Sequence, residues 1–245
     1  MTKIIRVDRN NPEIELIDFA AKVIREGGLV AFPTETVYGI GANSFDEEAV
    51  KKIFMVKGRP QDNPLIVHIA ELEQIYDLVE EIPQKAKILM EKFWPGPLTL
   101  IFKKSQKVPY VNTAGMDTVA IRMPSDTIAH LLIKRAKVPI SAPSANVSGK
   151  PSPTDASHVV EDLDGKVDII IDGGKCDFGV ESTVLDLTEK MPVVLRPGAV
   201  TLEMLKEVIG NVEVDPSLLK KPKGNLKPKS PGMKYKHYSP NAEVI

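Results

Sequence analysis

Apolar side chains repeat with two different periods along this chain, and the alternation predicts a mixture of helices and strands. Between residues 14 and 24 they recur at helical spacing, and the glycine pair at 27 and 28 favours the end of that helix. The short apolar run LVAFP that follows is typical of a buried strand. A helix followed directly by a buried strand indicates an α/β protein rather than an all-helical one.

The second predicted helix has a start signal and a stop signal. Asp46 is placed to cap its first turn, where a carboxylate accepts hydrogen bonds from free backbone N–H groups, and Glu47 and Glu48 suit the positive end of the helix dipole. The apolar stripe that follows ends at Gly58. We therefore expect a helix that delivers Lys57 to its C-terminal end.

The rest of the pattern continues the alternation. In chain order we predict strand PLIVHIA, helices near 72–80 and 83–93, strands LTLIF and TVAIRM, a helix capped by Ser125, strand VPISA, a helix from Thr154, strands VDIIID, TVLDL and PVVLR, and a helix from Thr201 to Ile209. This order favours an α/β fold in which helices pack against the faces of a mixed sheet.

Composition narrows the class of protein. The chain has 245 residues, of which 42% are hydrophobic, enough for a core that needs no disulfide. No apolar run approaches the roughly 18 to 20 residues of a membrane span, and no apolar signal segment follows Met1, so we expect a cytoplasmic protein without membrane association. Cys176 has no cysteine partner, and the four histidines lack metal-ligand spacing, so no zinc site is expected.

Charge is distributed unevenly along the chain. Seven of the 32 basic residues but one of the 33 acidic residues lie in residues 216–245, so this segment carries a net charge of +6 and the rest of the chain −7. The segment from 216 to 240 is also rich in proline, lysine, serine and glycine, which is typical of a linker or an extended flap. The final residues, NAEVI, are similar to the start of another strand, which suggests a further domain absent from this chain.

Polar and cationic residues gather where predicted strands end. Ligands of open α/β sheets bind beyond the carboxyl ends of strands, so these positions are the candidate site. The segments concerned are PTETVYG after LVAF, Arg122 at the end of TVAI, SAPSANVSG after VPI, DGG after DIII, GVES before TVLDL, and Arg196 after PVVL. Such loops allow backbone N–H groups and short side chains to approach a ligand closely.

Taken one at a time, these features also have structural explanations. Serine, proline and glycine loops are common turns, and lone arginines at strand ends often form surface ion pairs. Lys57 and Arg59 at a helix C-terminus are explained equally well by the helix dipole. The chain has no Walker motif, and GIGANS departs from a dinucleotide loop at its third glycine. A nucleotide would therefore be held by cations from separate loops: Lys57, Arg59, Arg122 and Arg196.

Several longer segments together resemble the YrdC-type family of threonylcarbamoyl-AMP synthases. The resemblance spans about residues 10–210 and includes a K-x-R and S-x-N pairing at Lys57, Arg59, Ser144 and Asn146. It is carried by FPTETVYGIGANSFDEEAVKKIFMVKGRPQDNPLIVHI, FWPGPLTLIF, DTVAIRMP, SAPSANVSGKPSPT, IDGG, GVESTVLDL and VLRPG. The fold it implies is a twisted mixed sheet with flanking helices around a large electropositive cavity. Residues 1–210 would form this catalytic domain and 211–245 a basic interdomain linker or flap.

The activity implied by the resemblance is that of a nucleotidyltransferase. It would make threonylcarbamoyl-AMP and pyrophosphate from L-threonine, bicarbonate or CO2, and ATP, with Mg2+ bridging the triphosphate. The product would pass to a downstream tRNA-modifying transferase complex, which modifies the adenosine next to the anticodon.

The resemblance also implies roles for individual residues, with Lys57 and Arg59 as the central cations of the reaction. The residues expected to bind ATP are Lys57, Arg59, Asn63, Thr118, Ser144, Asn146, Ser152, Arg196 and Tyr235. Those expected to bind threonine are Thr34, His68, Arg122, Ala142 (through its backbone) and Ser182. No protein metal ligand is implied.

Two other functions remain open from the sequence. A double-stranded RNA or tRNA-binding module would use the same cations and the basic tail without turning over ATP, although an aromatic content of 5% offers few stacking platforms. A carbamoyl-phosphate-dependent enzyme on the same fold would carry zinc-finger cysteine clusters that this chain lacks. Weak RNA binding beside the enzymatic activity is also compatible with the tail.

Overall fold

The computed structural model describes residues 1–218, in which eleven strands alternate with seven α-helices and two short 3-10 helices. The strands are β1 (Lys3–Arg6), β2 (Val30–Phe32), β3 (Gly39–Asn43), β4 (Ile66–His68), β5 (Leu98–Lys103), β6 (Thr118–Arg122), β7 (Ile140–Ser141), β8 (Ile169–Asp172), β9 (Thr183–Asp186), β10 (Val193–Arg196) and β11 (Glu213–Val214). The helices are α1 (Ile14–Arg25), α2 (Glu47–Lys57), α3 (Gln84–Phe93), α4 (Tyr110–Thr113), α5 (Thr127–Ala136), α6 (Ala156–Leu163) and α7 (Leu202–Ile209), and the 3-10 helices are Leu72–Asp77 and Pro216–Leu218.

All eleven strands belong to one mixed sheet. Their spatial order is β1-β8-β2-β3-β7-β4-β6-β5-β9-β10-β11. Parallel pairs such as β4 with β6 and β5 with β9 alternate with antiparallel pairs such as β4 with β7 and β5 with β6. The predicted fold class, a twisted mixed sheet with flanking helices, is confirmed.

Alternation of side chains along the strands explains why helices cover both faces. In β2, Val30 and Phe32 pack with α1 and α5 on one face, whereas Ala31 packs with α2 and α6 on the other. Because successive side chains of a strand point to opposite faces, a strand that is apolar throughout must be covered on both sides. A third cluster, on the other half of the sheet, joins α3 and α7 to β5 and β9.

Several predicted boundaries are corrected by the structure. Asp126, not Ser125, caps α5, because its Oδ1 accepts a 2.9 Å hydrogen bond from the backbone N–H of Ala129. The helix expected from Thr154 begins at Ala156, where Asp155 supplies the cap. The helix expected near 72–80 is a 3-10 helix over Leu72–Asp77.

Five short elements were not predicted, among them the 3-10 helix Pro216–Leu218, which begins the segment expected to be a linker or flap. β3 lies within the segment GIGANS, whose two glycines weaken the strand signal, although the strand is nearly fully buried. β1, β11 and α4 have only four, two and four residues, too few to show a clear hydrophobic period. The sheet therefore has more strands than the sequence pattern indicates.

Within residues 1–218, no helix has both the length and the apolar character needed to cross a membrane. The same part of the chain contains no group of three or more histidine, cysteine or acidic side chains placed to hold a metal ion.

Candidate functional site

A single cavity collects the polar strand ends. It encloses about 850 Å³ of empty space, including open solvent. Its lining comes from loops and strand ends spread between residues 34 and 196: Thr34, Thr36, Val37, Tyr38, Gly39, Lys57, Arg59, Asn63, Ile66, His68, Arg122, Ala142, Pro143, Ser144, Asn146, Ser148, Gly149, Glu181, Ser182 and Arg196. Eleven of the thirteen site residues predicted within residues 1–218 are among them.

Strand pairing explains part of this convergence. β4 and β6 are parallel neighbours, and their last residues, His68 and Arg122, are directly paired in register. β7 is antiparallel to β4, and the backbone N–H of Ala142 donates a 2.9 Å hydrogen bond to the carbonyl of Ile66. The sheet thus brings three predicted threonine-binding residues to one wall of the cavity.

Helix α2 delivers Lys57 to the cavity. Its start is the predicted one, since Asp46 accepts a 3.0 Å hydrogen bond from the N–H of Ala49. Its end is fixed by Gly58, which adopts φ +60°, a left-handed conformation that glycine takes without strain. The reversal at Gly58 sets Lys57 and Arg59 on either side of the helix end, and both line the cavity.

Lys57 is not a freely extended cation. Its side chain is buried, and Nζ donates to the backbone carbonyls of Ser144 and Asn146. Burial, reinforced by the nearby Arg59 charge, lowers the pKa of Lys57 to about 7. The ammonium group of Lys57 therefore holds the SAPSAN loop through two of its three N–H donors. The third N–H remains for a ligand.

The loop that Lys57 clamps is further fixed from behind by the carboxylate of Asp162. This carboxylate accepts a 3.0 Å hydrogen bond from the backbone N–H of Val147 and forms an ion pair with Lys150. The amide nitrogen of Asn146 donates to the carbonyls of Val147 and Lys150 at 2.9 and 2.8 Å. The Oδ1 atom of Asn146 is buried and has no protein hydrogen-bond partner among the described residues, so it is available to a ligand.

Arg59 and Asn63 lie beside this loop. Nη2 of Arg59 donates a 3.2 Å hydrogen bond to the backbone carbonyl of Asn63, which orders the turn between α2 and β4. The Asn63 side chain is buried, and its Oδ1 has no hydrogen-bond partner within residues 1–218. Two amide oxygens and two cations thus share one side of the cavity, the side defined here as the phosphate side (Lys57, Arg59, Asn63, Asn146).

Arg122 lies beside His68 at the end of β6, in a different electrostatic setting. Its Nε donates to the carbonyl of Gly96 at 3.3 Å, and Nη1 donates to Oγ1 of Thr36 at 2.9 Å. Its Nη2 lies 2.6 Å from Oε1 of Glu35, and both side chains are almost fully buried. Arg122 is thus a fixed, charge-paired guanidinium rather than a mobile surface arginine.

His68 lies beside Arg122 in the cavity wall, and its imidazole is neutral. Burial, together with the neighbouring Arg122 charge, lowers the pKa of His68 to about 3, so its imidazole stays uncharged near neutral pH. Its Nδ1 is buried without a hydrogen-bond partner among residues 1–218. A neutral imidazole offers one donor and one acceptor, which suits an amine or a hydroxyl better than a phosphate.

The hydroxyls of Thr34 and Ser182 have structural partners already. Oγ1 of Thr34 donates to the carbonyl of Val37 at 2.7 Å and closes the turn between β2 and β3. Oγ of Ser182 shares a 2.7 Å hydrogen bond with Oγ1 of Thr99 and accepts a 3.1 Å hydrogen bond from Nη2 of Arg196. Arg196 also donates through Nε to the Ser182 carbonyl, so Ser182 and Arg196 form one unit.

Three predicted residues lie outside the cavity lining or outside the described chain. Ser152 does not line the cavity, but its Oγ donates a 2.6 Å hydrogen bond to Oε1 of Glu181, which does. Thr118 begins β6, four residues before Arg122, and is not among the lining residues. Tyr235 lies outside the described residues, so its expected contact with ATP stays a prediction.

The sequence interpretation did not single out Glu35, Thr36 and Glu181, which contact the predicted site residues Arg122 and Ser152. All three lie in segments that the interpretation had selected, PTETVYG and GVES. Their side-chain directions depend on turn geometry, and the sequence pattern does not determine that geometry. The contacts of Glu35 and Thr36 with Arg122, and of Glu181 with Ser152, are seen only in the folded chain.

The described lining has a strongly positive balance. Lys57, Arg59, Arg122 and Arg196 are its cations, and Glu181 is the one carboxylate among the lining residues of the described chain. Mg2+ commonly takes one or two protein carboxylates together with substrate phosphates and waters. Among the described lining residues, Glu181 therefore offers the one carboxylate that could contact a magnesium ion bound to a polyphosphate.

Comparison with known proteins identifies the family to which this chain belongs. The Sua5/YciO/YrdC family model, described as telomere recombination, matches residues 22–198, and the model of the threonylcarbamoyl-AMP synthase C-terminal domain matches residues 200–245. Threonylcarbamoyl-AMP synthase of Pyrococcus abyssi is 58% identical over 245 residues, which cover all of this chain and 71% of that protein. The protein of the same name in Bacillus subtilis is 55% identical over 237 residues, covering 96% of this chain and 66% of that protein.

Solved structures agree in fold. The crystal structure of P. abyssi Sua5 complexed with L-threonine superposes with a TM-score of 0.95 at 57% identity, covering 99% of this chain and 70% of that chain. E. coli YciO gives a TM-score of 0.73 at 27% identity, over 81% of this chain and 97% of the other. From the family match over residues 22–198 and relatives at 58% and 55% identity, the chain belongs to the Sua5/YciO/YrdC family.

Proposed function

We propose that this chain is the catalytic part of an L-threonylcarbamoyladenylate synthase, a nucleotidyltransferase that makes threonylcarbamoyl-AMP and pyrophosphate from L-threonine, bicarbonate or CO2, and ATP. The proposal is supported by relatives that bear this name and by one related structure complexed with L-threonine. The observation that carries it is the cavity itself, which holds two separate sets of anion-binding groups.

The Arg122 side suits the amino acid. Three described contacts, to Gly96, Thr36 and Glu35, engage three different nitrogens of Arg122, and each terminal nitrogen carries two N–H groups. Nη1 donates one of its two N–H groups to Thr36 and Nη2 has no hydrogen-bond partner within residues 1–218, so each terminal nitrogen keeps at least one N–H for a two-pronged contact with a carboxylate. Neutral His68 and the backbone at Ala142 would contact the amine and hydroxyl of threonine.

The phosphate side suits the triphosphate. Lys57 and Arg59 of this side, together with Arg196 beside Ser182, would pair with phosphate oxygens, and the amides of Asn63 and Asn146 would contact the nucleotide. Thr118, Ser144, Ser152 and Tyr235 remain further candidates on the basis of the resemblance. Mg2+, when bound with ATP, would neutralise charge on the phosphates and fix their geometry, with Glu181 as its protein carboxylate.

The chemistry requires positioning rather than a protein nucleophile. The amine nitrogen of threonine bonds to the carbon of CO2 and loses a proton, which gives a carbamate; from bicarbonate, water is also released. A carbamate oxygen then attacks the α-phosphorus of ATP, and the bond from that phosphorus to the bridging oxygen breaks as pyrophosphate leaves. The protein contributes by aligning two anions that repel each other and by stabilising charge on the phosphates.

The product is a mixed anhydride of a carbamate and AMP, which is an activated acyl donor. We therefore propose that it is passed to a downstream tRNA-modifying transferase complex, where a nucleophile on the adenosine next to the anticodon accepts the threonylcarbamoyl group. The place of this step would be the cytoplasm.

The deciding experiment is an assay of pyrophosphate release with ATP, bicarbonate and L-threonine supplied together or singly. We expect release that requires all three, and release independent of threonine would contradict the proposal. An RNA-binding module would instead give no turnover and an RNA affinity that falls steeply with salt.

A variant sharpens this assay. Arg59→Ala should raise the KM for ATP about tenfold to 100-fold, because a hydrogen bond to a charged group contributes roughly 1.5 to 3 kcal/mol, while threonine binding changes little. Arg135→Ala, which removes an exposed arginine paired with Asp18, is the matched control and should leave both values unchanged.

A further inference from the structure

The cavity presents a problem of selectivity between two anions. Four cations line it, and a polyphosphate binds any accessible cation. If ATP occupied Arg122 as well as the phosphate side, the amino acid carboxylate would lose its site. Selectivity therefore requires that a polyphosphate bind Arg122 more weakly than it binds Lys57, Arg59 and Arg196.

Arg122 has an acidic partner that does not line the cavity. Oε1 of Glu35 lies 2.6 Å from Nη2 of Arg122, and the Glu35 and Arg122 side chains are only 2% and 4% exposed. Arg122 lines the cavity and Glu35 does not, so the Glu35 carboxylate contacts the guanidinium from outside the cavity lining. Glu35 therefore cancels the charge of Arg122 while leaving the cavity-facing N–H groups open.

The backbone around Glu35 holds its carboxylate in place. The Glu35 carbonyl accepts hydrogen bonds from the N–H groups of Asp177 and Phe178 at 3.1 and 2.9 Å. The flanking threonines, Thr34 and Thr36, are hydrogen-bonded to each other at 2.9 Å. Because the segment is fixed on both sides, Glu35 stays behind Arg122 and does not swing into the cavity.

The other charged groups near Glu35 are one arginine and two carboxylates. Nε of Arg9 lies 3.0 Å from Oδ2 of Asp126, which is also buried, and Nη1 of Arg9 pairs with Asp177 at 3.2 Å. These groups therefore add no net positive charge behind Arg122. Glu35 is the carboxylate in direct contact with Arg122, and Asp126 lies close enough to Glu35 to interact with it electrostatically.

We propose that Glu35 is a specificity-determining residue that reserves Arg122 for the monoanionic carboxylate of the amino acid and directs the triphosphate to the phosphate side. A charge-neutral Arg122–Glu35 pair binds a carboxylate through two directed hydrogen bonds but gains little from the multiple charges of a polyphosphate. Glu35 contacts no substrate and acts through Arg122. This inference rests on the proposed function, since it takes threonine as the ligand of Arg122.

The test uses Glu35→Gln, which keeps the size and an oxygen acceptor but removes the charge. Isothermal titration calorimetry would measure threonine binding to the full chain at increasing concentrations of inorganic tripolyphosphate, the probe for the triphosphate. For the unmodified protein we expect one bound tripolyphosphate and an apparent Kd for threonine that reaches a plateau. For Glu35→Gln we expect a second bound tripolyphosphate and an apparent Kd for threonine that rises continuously, by about tenfold or more, as competition for one site requires.

Two variants serve as controls. Glu35→Asp keeps the charge and should restore the plateau, which separates a charge effect from loss of packing. Glu71→Gln removes one carboxylate from the exposed pair with Lys134, neither of which lines the cavity, and should behave as the unmodified protein.

Threonine binding and its response to tripolyphosphate separate the proposed function from the role of Glu35. If the unmodified protein binds no threonine, the proposed function fails; if it binds threonine and Glu35→Gln still gives a plateau, only the role of Glu35 is wrong. If Glu35→Gln does not fold, the unmodified protein decides: continuous competition by tripolyphosphate overturns the proposal, and a plateau supports it.

Discussion

At the scale of single residues, the cavity shows how burial changes what a cation can do. Lys57 and Arg122 both line it, yet each is engaged by the protein, Lys57 by two loop carbonyls and Arg122 by Glu35. Arginine keeps its charge under such burial, whereas lysine gives up its proton more easily. The protonation of Lys57 should therefore be linked to the binding of phosphate.

This linkage predicts the pH dependence of ATP binding. The pKa of Lys57 is about 7 in the unliganded protein, lowered by burial and by Arg59 against the opposing effect of Asp162. Phosphate favours the ammonium form and raises this pKa in the complex, so above pH 7 binding must take up a proton and the affinity should fall by up to tenfold per pH unit. Lys57→Arg stays charged and should flatten this fall. Calorimetric Kd values for ATP, measured between pH 6.5 and 9, would compare the unmodified protein with Lys57→Arg. The same dependence of Kd on pH in both proteins would refute the linkage to Lys57.

Residue roles could be predicted from the sequence only in part. Arg122 and Arg196 were selected because strand ends are where α/β folds bind ligands, and Lys57 and Arg59, at the end of a helix, were selected through the family resemblance. The clamp between Lys57 and the SAPSAN loop was not, because it uses backbone carbonyls, which carry no sequence signal. The pairing of Arg122 with Glu35 was missed for a related reason: it depends on the turn after β2.

At the scale of elements, features set by local sequence were predicted more accurately than features set by pairing with distant strands. The start of α2 at Asp46 and its end at Gly58 follow from capping chemistry that is local in sequence, and the structure confirms both. β3 was missed because its pairing with β2 and β7, rather than any local preference of GIGANS, makes it a strand. A strand whose existence depends on pairing with a strand distant in sequence is not predicted by the local pattern of apolar residues.

The close approach of two loops beside Arg196 gives a prediction at this scale. A Cβ at Gly198 would lie 2.5 Å from the backbone nitrogen of Thr183 and 2.6 Å from the carbonyl oxygen of Glu181, so Gly198→Ala must displace the segment that carries Ser182. We expect a loss of about 1 to 3 kcal/mol in the free energy of unfolding, as for other overpacked sites, together with weaker threonine binding. Urea unfolding and calorimetry measure the two effects.

Gly115→Ala is the matched control for this substitution. Gly115 has φ +77° and open space around its Cβ position, and it does not line the cavity. Its replacement should cost about 1 kcal/mol through backbone strain alone and leave threonine affinity unchanged. Equal losses of affinity in both variants would show that the Gly198 effect is a general consequence of destabilisation.

At the scale of the whole molecule, the sheet serves to gather cations from distant parts of the sequence. Lys57 and Arg196 are separated by most of the chain, yet both line one cavity because β4, β6 and β10 belong to the same sheet. The described part of the chain otherwise carries more acidic than basic residues. This contrast concentrates positive charge at the site, where it raises the local concentration of anionic substrates.

The basic segment 216–245 gives the last prediction at this scale. With a net charge of +6 against −7 for the rest of the chain, it is electrostatically suited to a site that holds a polyphosphate and a labile adenylate. Tyr235, which lies outside the described residues, was predicted from the sequence to contact the nucleotide phosphates. Tyr235→Phe should therefore slow pyrophosphate release and shorten the lifetime of the adenylate, measured by quenched-flow sampling of the product. Tyr76→Phe changes a highly exposed tyrosine outside the cavity lining and should have neither effect, and equal behaviour of the two variants would exclude a role for the Tyr235 hydroxyl.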